Sequence, residues 1–241
     1  MQRDEVLDED YLYFYEQLLT DEVSDRQTEL IWSLLELESG MEVLDLACGH
    51  GRIANRLAAR GARVTGLDAT PLFLERARAD AAARGVDVEY VEGDMRELPW
   101  TERFDRVLNW FTAFGYFEDD ENRQVLRELH RALRPGGRVA IENNNLPELL
   151  RRWQPATVVE RDGDLAVDRS RFDPTTGRAT TERVIVRGGR VRRFEFSVRM
   201  FFAVELRDWL LDAGFASVAF YDGEGEPLAA DGRRMITVAR R

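Results

Sequence analysis

The stretch Val43-Leu44-Asp45-Leu46-Ala47-Cys48-Gly49-His50-Gly51-Arg52-Ile53-Ala54 holds a buried strand, an acid, a glycine turn and the start of a helix. The apolar run from Met41 to Leu46 suits a strand inside a parallel sheet, and Gly49 and Gly51 let the backbone turn tightly and approach a ligand. Ile53, Leu57 and Ala58 recur at helical spacing, with Gly61 placed to cap the end. Strand, glycine turn and helix in that order form a nucleotide-binding corner. The fingerprint G-x-G-x-x-G would need glycine at the positions held by Ala47, Gly49 and Arg52, so a nicotinamide reading fails on spacing.

Working outward, Arg63 to Leu67 predicts a second strand that ends at Asp68, 23 positions after Asp45. A nucleotide-binding unit places there an acid that grips ribose hydroxyls. Each such charge-assisted hydrogen bond contributes roughly 1.5–3 kcal/mol. The competing role for Asp68, a helix start, is already filled by Thr70 as N-cap and Pro71 in the first turn of a helix from Leu72 to Arg84. A third strand, Val88 to Val91, leads into Gly93-Asp94-Met95, and Phe104 to Asn109 gives a fourth. An amphipathic helix, Glu121 to Leu133, and the turn Arg134-Pro135-Gly136-Gly137-Arg138 introduce a fifth strand, Val139 to Glu142.

The pattern D-x-A-x-G-x-G from Asp45 to Gly51 resembles motif I of the class I S-adenosylmethionine (SAM) dependent methyltransferases, with Ala47 where the family usually has its first glycine. The L-R-P-G-G-R-V turn is also similar to that family, and the resemblance covers residues 41–143 and the tail from 203. It implies an α/β fold, a Rossmann-like doubly wound, mostly parallel seven-stranded sheet, with SAM as cofactor and S-adenosyl-L-homocysteine (SAH) as product. The cofactor residues it implies begin with Asp45, Ala47, Gly49, Gly51, Asp68 and Ala69. Asp94 would accept from the adenine amino group, Met95 would lie against the ring, and Asn109 would touch the amino-acid end with Trp110 nearby. In related small-molecule enzymes an N-terminal aromatic helix folds over the cofactor, which points to Tyr15 and then Tyr13.

Two helical stretches, Glu5 to Leu19 and Asp25 to Leu37, precede the core as a cap over residues 1–40, the second with Ser24 and Gln27 as a capping box. Tyr11, Phe14, Tyr15 and Leu18 recur at helical spacing, which packing alone also explains. The methyltransferase core takes residues 41–156 and 203–241. Between them, 157–202 turns to β alternation: Leu165 to Phe172, Arg178 to Arg187 and Val191 to Phe202, separated by Asp173-Pro174-Thr175-Thr176-Gly177 and Gly188-Gly189. This antiparallel insertion is either a roof over the substrate pocket or an edge for dimerisation; the arrangement resembles the antibiotic-sugar N-methyltransferases, which implies a roof that also contributes to a homodimer. The helix Val204 to Ala213 and the strands Ser217 to Tyr221 and Arg234 to Ala239 close the core.

Composition limits the partners. All 34 basic residues are arginine and the net charge is −11, which disfavours long-range attraction of nucleic acid, although Arg151-Arg152 and Arg190 to Arg193 are locally basic. Cys48 is the single cysteine, so no intrachain disulfide forms. No apolar run approaches a membrane span of roughly 20 residues, and Met1 to Asp10 lacks the order of a signal peptide; a cytoplasmic enzyme without membrane contacts is expected. Two histidines and no Cys/His cluster give no expectation of a metal.

The expected reaction is methyl transfer to a nitrogen or oxygen of a small molecule, a secondary metabolite or its sugar, by in-line displacement that relies on positioning. The competing readings are a protein or RNA acceptor and a SAM-binding domain without transfer. Residues 109–117, N-W-F-T-A-F-G-Y-F, lie at a strand end where α/β sheets bind ligands. They lack the Asn/Asp-Pro-Pro-aromatic sequence of enzymes acting on adenine amines or glutamine amides. Phe114, Tyr116 and Phe117 would wall an apolar acceptor pocket, a role that core packing contests. Tyr15, Phe117 and Glu142 are the candidate catalytic residues, Glu142 as the group that orients or deprotonates an acceptor. Asn143-Asn144-Asn145 reads as a turn with helix-cap chemistry or as acceptor-facing amides, His130 as packing on its helix, and His50 as a turn residue near the cofactor's amino-acid end.

Overall fold

The computed structural model describes residues 8–241. The expected start of the first helix at Glu5 lies outside them, and α1 (Glu9–Glu16) follows Asp8, whose carboxylate accepts from the Asp10 and Tyr11 amides. Helix α2 (Asp21–Leu34) begins earlier than the sequence suggests because the Thr20 hydroxyl accepts from Val23 N–H and caps it. Ser24 is therefore buried inside the helix rather than capping it, and Gln27 turns to Arg52.

The core then alternates strand and helix: β1 (Glu42–Leu46), α3 (Ala54–Ala59), β2 (Arg63–Asp68), α4 (Pro71–Arg84), β3 (Val88–Glu92), β4 (Phe104–Asn109), α5 (Asp119–Ala132) and β5 (Leu133–Asn144). Strand β5 is three times as long as expected, absorbing the Pro-Gly-Gly turn at one end and Asn143 and Asn144 at the other. Thr70 sits at the N-cap of α4 as predicted, but its hydroxyl makes no capping bond. Helix α5 is closed by a reciprocal box in which Glu118 and Glu121 serve each other's backbone, and it buries Val125, Leu126 and Leu129 against the sheet.

Beyond β5 come α6 (Leu146–Arg151), β6 (Ala156–Arg161), β7 (Asp164–Asp173), β8 (Arg178–Arg187) and β9 (Arg190–Arg199). Helix α6 and strand β6 are additions to the sequence reading. The four strands form a separate antiparallel meander, β6-β7-β8-β9. Phe14 of α1 is buried among Ala166, Ile185 and Phe194 of this sheet, while Tyr11 meets Phe73 of α4, so the first helix bridges the meander and the core. Burial of a side chain that size contributes roughly 1.5–3 kcal/mol.

The chain ends in α7 (Ala203–Asp212), β10 (Ser217–Tyr221) and β11 (Arg234–Arg240). The main sheet runs β10-β11-β5-β4-β1-β2-β3, with β11 antiparallel to both neighbours and the other strands parallel to one another. The expected doubly wound, mostly parallel seven-stranded sheet is thus present. Chain order reverses between β1 and β4, and a crevice opens at their C-terminal ends, the switch point where such sheets bind ligands. Among the described residues no helix is long and apolar enough to cross a membrane.

Candidate active site

A cavity of about 140 Å³ occupies that crevice. Its floor comes from the turn after β1. Ala47 adopts φ +58°, the left-handed conformation for which a glycine would be preferred, at a cost of roughly 1–2 kcal/mol. Gly49, at φ +55°, donates its N–H to Asp68 Oδ2 at 2.8 Å, while Thr70 N–H reaches Asp68 Oδ1 at 2.9 Å. Asp68 therefore ties the glycine turn to the start of α4 while it lines the cavity. Gly51 lies behind the floor: a Cβ there would fall 2.2 Å from the Tyr90 hydroxyl oxygen, so its role is close packing.

Of the candidate residues, Ala69, Met95, Trp110 and Phe117 line the cavity. Asp94 sits between two lining residues, Gly93 and Met95, with its carboxylate accepting from Arg96 at 2.7 Å. Arg96 also lies 4.5 Å from the Phe117 ring centroid. Asn109 does not reach the cavity; its amide donates to Leu46 O at 3.0 Å and joins β4 to β1.

The cap differs from expectation in a specific way. Tyr11, not Tyr13, lines the cavity, stacked on Tyr15 at 4.5 Å between centroids. Tyr13 turns to the meander, donating its hydroxyl to Arg161 O at 3.1 Å with Arg187 4.1 Å over its ring. Tyr15 stands behind Tyr11, its hydroxyl accepting from Arg183 at 2.9 Å, and Arg183 is paired with Asp168 at 2.6 Å. The residues 109–117 segment supplies the opposite wall through Phe111, Thr112, Ala113 and Tyr116. Burial pushes the Tyr116 phenol up to about 12, so it stays a hydrogen-bond donor at neutral pH. Phe114 is fully buried on Phe201, the packing outcome.

Glu142 is turned away from the cavity. Its Oε2 accepts from Phe111 N–H at 2.7 Å and its Oε1 pairs with Arg234, so neither oxygen is left for an acceptor proton. Asn143 donates to Phe114 O, and Asn145 holds the carbonyls of Ala229 and Gly232; these amides tie loops together. His130 packs edge-on against Phe215. His50 lines the cavity, where burial holds its imidazole down at about 4, hence neutral.

Two buried polar groups that line the cavity have no partner within the chain, and a nearby cation is held only by neutral ones. Asp45 is 2% exposed and its Oδ2 has no hydrogen-bond partner; burial pushes its carboxyl up to about 7. Trp110 is 5% exposed with an unpartnered indole N–H. Arg52, which the sequence reading passed over, donates to the neutral oxygens of Gln27 and Ser24 at 2.7 and 3.4 Å. Leaving buried polar groups unpaired costs roughly 1–3 kcal/mol each, which a ligand of matching chemistry recovers.

Comparison with known proteins accords with this arrangement. A family model described as a methyltransferase domain matches residues 43–137. Over 211 residues the chain is 32% identical to the cypemycin N-terminal methyltransferase of a Streptomyces species, 84% of each chain being covered. The chain belongs to the SAM-dependent methyltransferases. Among solved structures the methyltransferase is similar to the CcbJ methyltransferase of Streptomyces caelestis, with TM-score 0.76, 25% identity and 92% of each chain covered. It is also similar to SAM-bound CalS10, an amino pentose methyltransferase of Micromonospora echinaspora, with TM-score 0.61, 25% identity and coverage of 92% of this chain and 91% of that one. The match spans only 44% or 45% of the length of several further curated relatives. The cofactor of the methyltransferase is SAM.

The residues present fit that cofactor. Its amino-acid end is a zwitterion; the unsatisfied groups are an acid acceptor, Asp45 Oδ2, and an indole donor, Trp110 Nε1, and beside them the Arg52 cation is hydrogen-bonded only to the neutral Gln27 and Ser24.

Proposed function

We propose that this methyltransferase moves a methyl group from SAM to the amine nitrogen of a small molecule, a secondary metabolite or its sugar. The observation that carries the reading is the combination of an unpaired acid and indole N–H, with a guanidinium held only by neutral partners, and aromatic walls around one cavity. Asp45 takes the cofactor's ammonium, Arg52 and Trp110 its carboxylate, Asp68 the ribose hydroxyls, and Met95 with Ala69 the adenine side. SAM, when bound, would supply a methyl carbon activated by its positively charged sulfur, and the methylated amine would give up its proton to solvent.

The chain's contribution is placement. Tyr11, Tyr15, Phe111, Tyr116 and Phe117 exclude water and confine the acceptor to one approach, and orientation of that kind supplies roughly 7–11 kcal/mol of barrier reduction. Ring faces close to the donor also favour its positive charge over bulk water. Nitrogen is preferred to oxygen because Glu142 is committed to Phe111 N–H and Arg234, and Asp168 to Arg183, leaving no free carboxylate beside the aromatic wall to deprotonate a hydroxyl acceptor. The names of the two relatives, an N-terminal and an amino pentose methyltransferase, support an amine.

The meander acts as the roof, because Tyr15 is held from above by Arg183, and its exposed Val158 and Val191 offer a homodimer surface that sedimentation tests. A peptide N-terminal amine is the second reading, favoured by the cypemycin relative alone. Incubation of the enzyme with methyl-labelled SAM and a fractionated cell extract separates the readings. Label in small metabolites supports the first, label in peptides alone supports the second, and transfer only to RNA or folded protein overturns both.

A further inference from the structure

Phe111 and Thr112 are consecutive non-glycine residues in the left-handed region, at φ +62° and +57°. Threonine is β-branched and avoids that region, so the surrounding structure must hold it there. The holding groups are all visible. Phe111 N–H donates to Glu142 Oε2 at 2.7 Å, and Thr112 N–H donates to the Glu142 carbonyl at 3.1 Å. Arg234, entering β11 opposite Asn144, donates to Thr112 Oγ1 at 2.8 Å and to Asn144 Oδ1 at 2.6 Å, and its Nε pairs with Glu142.

The segment so fixed lies where the two halves of the site meet. The Phe111 ring meets Tyr15 edge-on at 6.3 Å and lies 5.5 Å from the Arg52 guanidinium, while Thr112 and Ala113 line the cavity directly. A left-handed pair reverses the chain within two residues and so sets where the Phe111 ring projects. Released, Phe111 and Thr112 relax toward ordinary extended or helical φ and the ring leaves that position.

We propose that Glu142 and Arg234 form a latch that positions the acceptor wall by keeping Phe111 and Thr112 left-handed. Glu142 is thus a positioning residue rather than a proton acceptor, and Arg234 is its partner in that role. The proposal deepens the functional reading and rests on it in one respect, that residues 111–116 wall the acceptor side.

The test uses Arg234→Gln, Arg234→Lys and the double variant Arg234→Gln with Thr112→Gly. Each is measured for SAH affinity by calorimetry, for melting temperature, for amide exchange at residues 110–113, and for transfer of labelled methyl from SAM into the small-molecule fraction of one cell extract. For Arg234→Gln, transfer is expected to fall about tenfold or more, the loss of a charge-assisted hydrogen bond, with SAH affinity changed by less than about threefold. Adding Thr112→Gly is expected to restore about threefold or more of the lost transfer, since glycine holds φ +57° without assistance. Arg234→Lys, which keeps the charge beside Glu142, serves where Arg234→Gln does not fold and is expected to lose less. Unchanged transfer in Arg234→Gln overturns the latch, as does a parallel loss of transfer, SAH affinity and melting temperature that glycine does not relieve. Should the wild-type enzyme label no small molecule, the acceptor reading fails while the latch is still judged by exchange. Faster exchange of the Phe111 and Thr112 amides by about tenfold in Arg234→Gln supports it, and unaltered exchange overturns it.

Discussion

Asp45 and Arg52 line one cavity, carry opposite formal charges and form no ion pair with each other; Arg52 faces Gln27 and Ser24, and Asp45 Oδ2 faces no donor. The burial that isolates Asp45 raises its carboxyl from 3.8 to about 7 in the free protein. A raised folded pKa gives a stabilising contribution that is complete below pH 3.8 and is lost as pH climbs through about 7. An ammonium group beside Asp45 favours the ionised form, so cofactor binding is expected to release a proton near pH 6.5. Affinity for SAM then weakens toward lower pH by up to about one logarithmic unit per pH unit. Calorimetry in buffers of different ionisation enthalpy measures the release directly. Asp45→Asn removes it, and proton release that persists in Asp45→Asn removes Asp45 from the cofactor's amino-acid end.

Arg52→Met separates binding from folding. The guanidinium is withdrawn from water, which lowers its pKa; Asp45 and Glu142 offset that cost only in part, and no acid is hydrogen-bonded to it. Affinity for SAH is expected to drop about tenfold to a hundredfold, while the melting temperature of the free enzyme does not fall. A clear loss of thermal stability with affinity intact assigns Arg52 to the scaffold.

Asp68→Ala is expected to weaken SAH binding at least about tenfold, from the loss of charge-assisted hydrogen bonds. It also frees the Gly49 and Thr70 amides, so the melting temperature drops by a few degrees, about 2–4 °C per kcal/mol in a chain of this size. Retained affinity alongside a lowered melting temperature would show that Asp68 only organises the turn.

Gly115→Ala tests the link between roof and wall. Gly115 has φ +114°, a Cβ there would fall 2.5 Å from Arg199 O, and its own carbonyl accepts Arg199 N–H at 2.7 Å. The substitution pushes β9 off residues 109–117 at a cost of about 1–3 kcal/mol. Methyl transfer is expected to fall severalfold more than SAH affinity. Equal effects on both would disconnect the roof from the acceptor side.

The central strands of the main sheet were legible because burial on both faces writes a largely apolar run, as in Val43, Leu44 and Leu46 around the buried Asp45, and acids near the strand ends mark the crevice. Strand β6 was not, since an outer strand whose side chains are mostly exposed carries no alternation to read. Thr20 and Ser24 stand one turn apart, so local chemistry permits either cap; packing of α2 on α3 and on the turn before it, where Arg52 meets Ser24, decides between them. Arg52 itself reads as a solvated helix start until α2 covers it. Tyr11 and Tyr13 differ only in which side of α1 faces the meander, and that depends on Phe14 finding Ile185 and Phe194 far along the chain. Glu142 looks available at a strand end because its partner Arg234 arrives 92 residues later.

That separation has a kinetic meaning. The turn after β1 joins β2 by local steps, but the cavity is finished by closures of 122 residues between Arg234 and Thr112 and 168 between Tyr15 and Arg183. Closing such long loops is entropically slow relative to nearby contacts. A chain still being synthesised, with β1 to β5 complete and β11 unmade, therefore has the glycine turn but neither lid nor latch. The floor of the site precedes its walls, and competence for transfer is acquired in the final stages of folding.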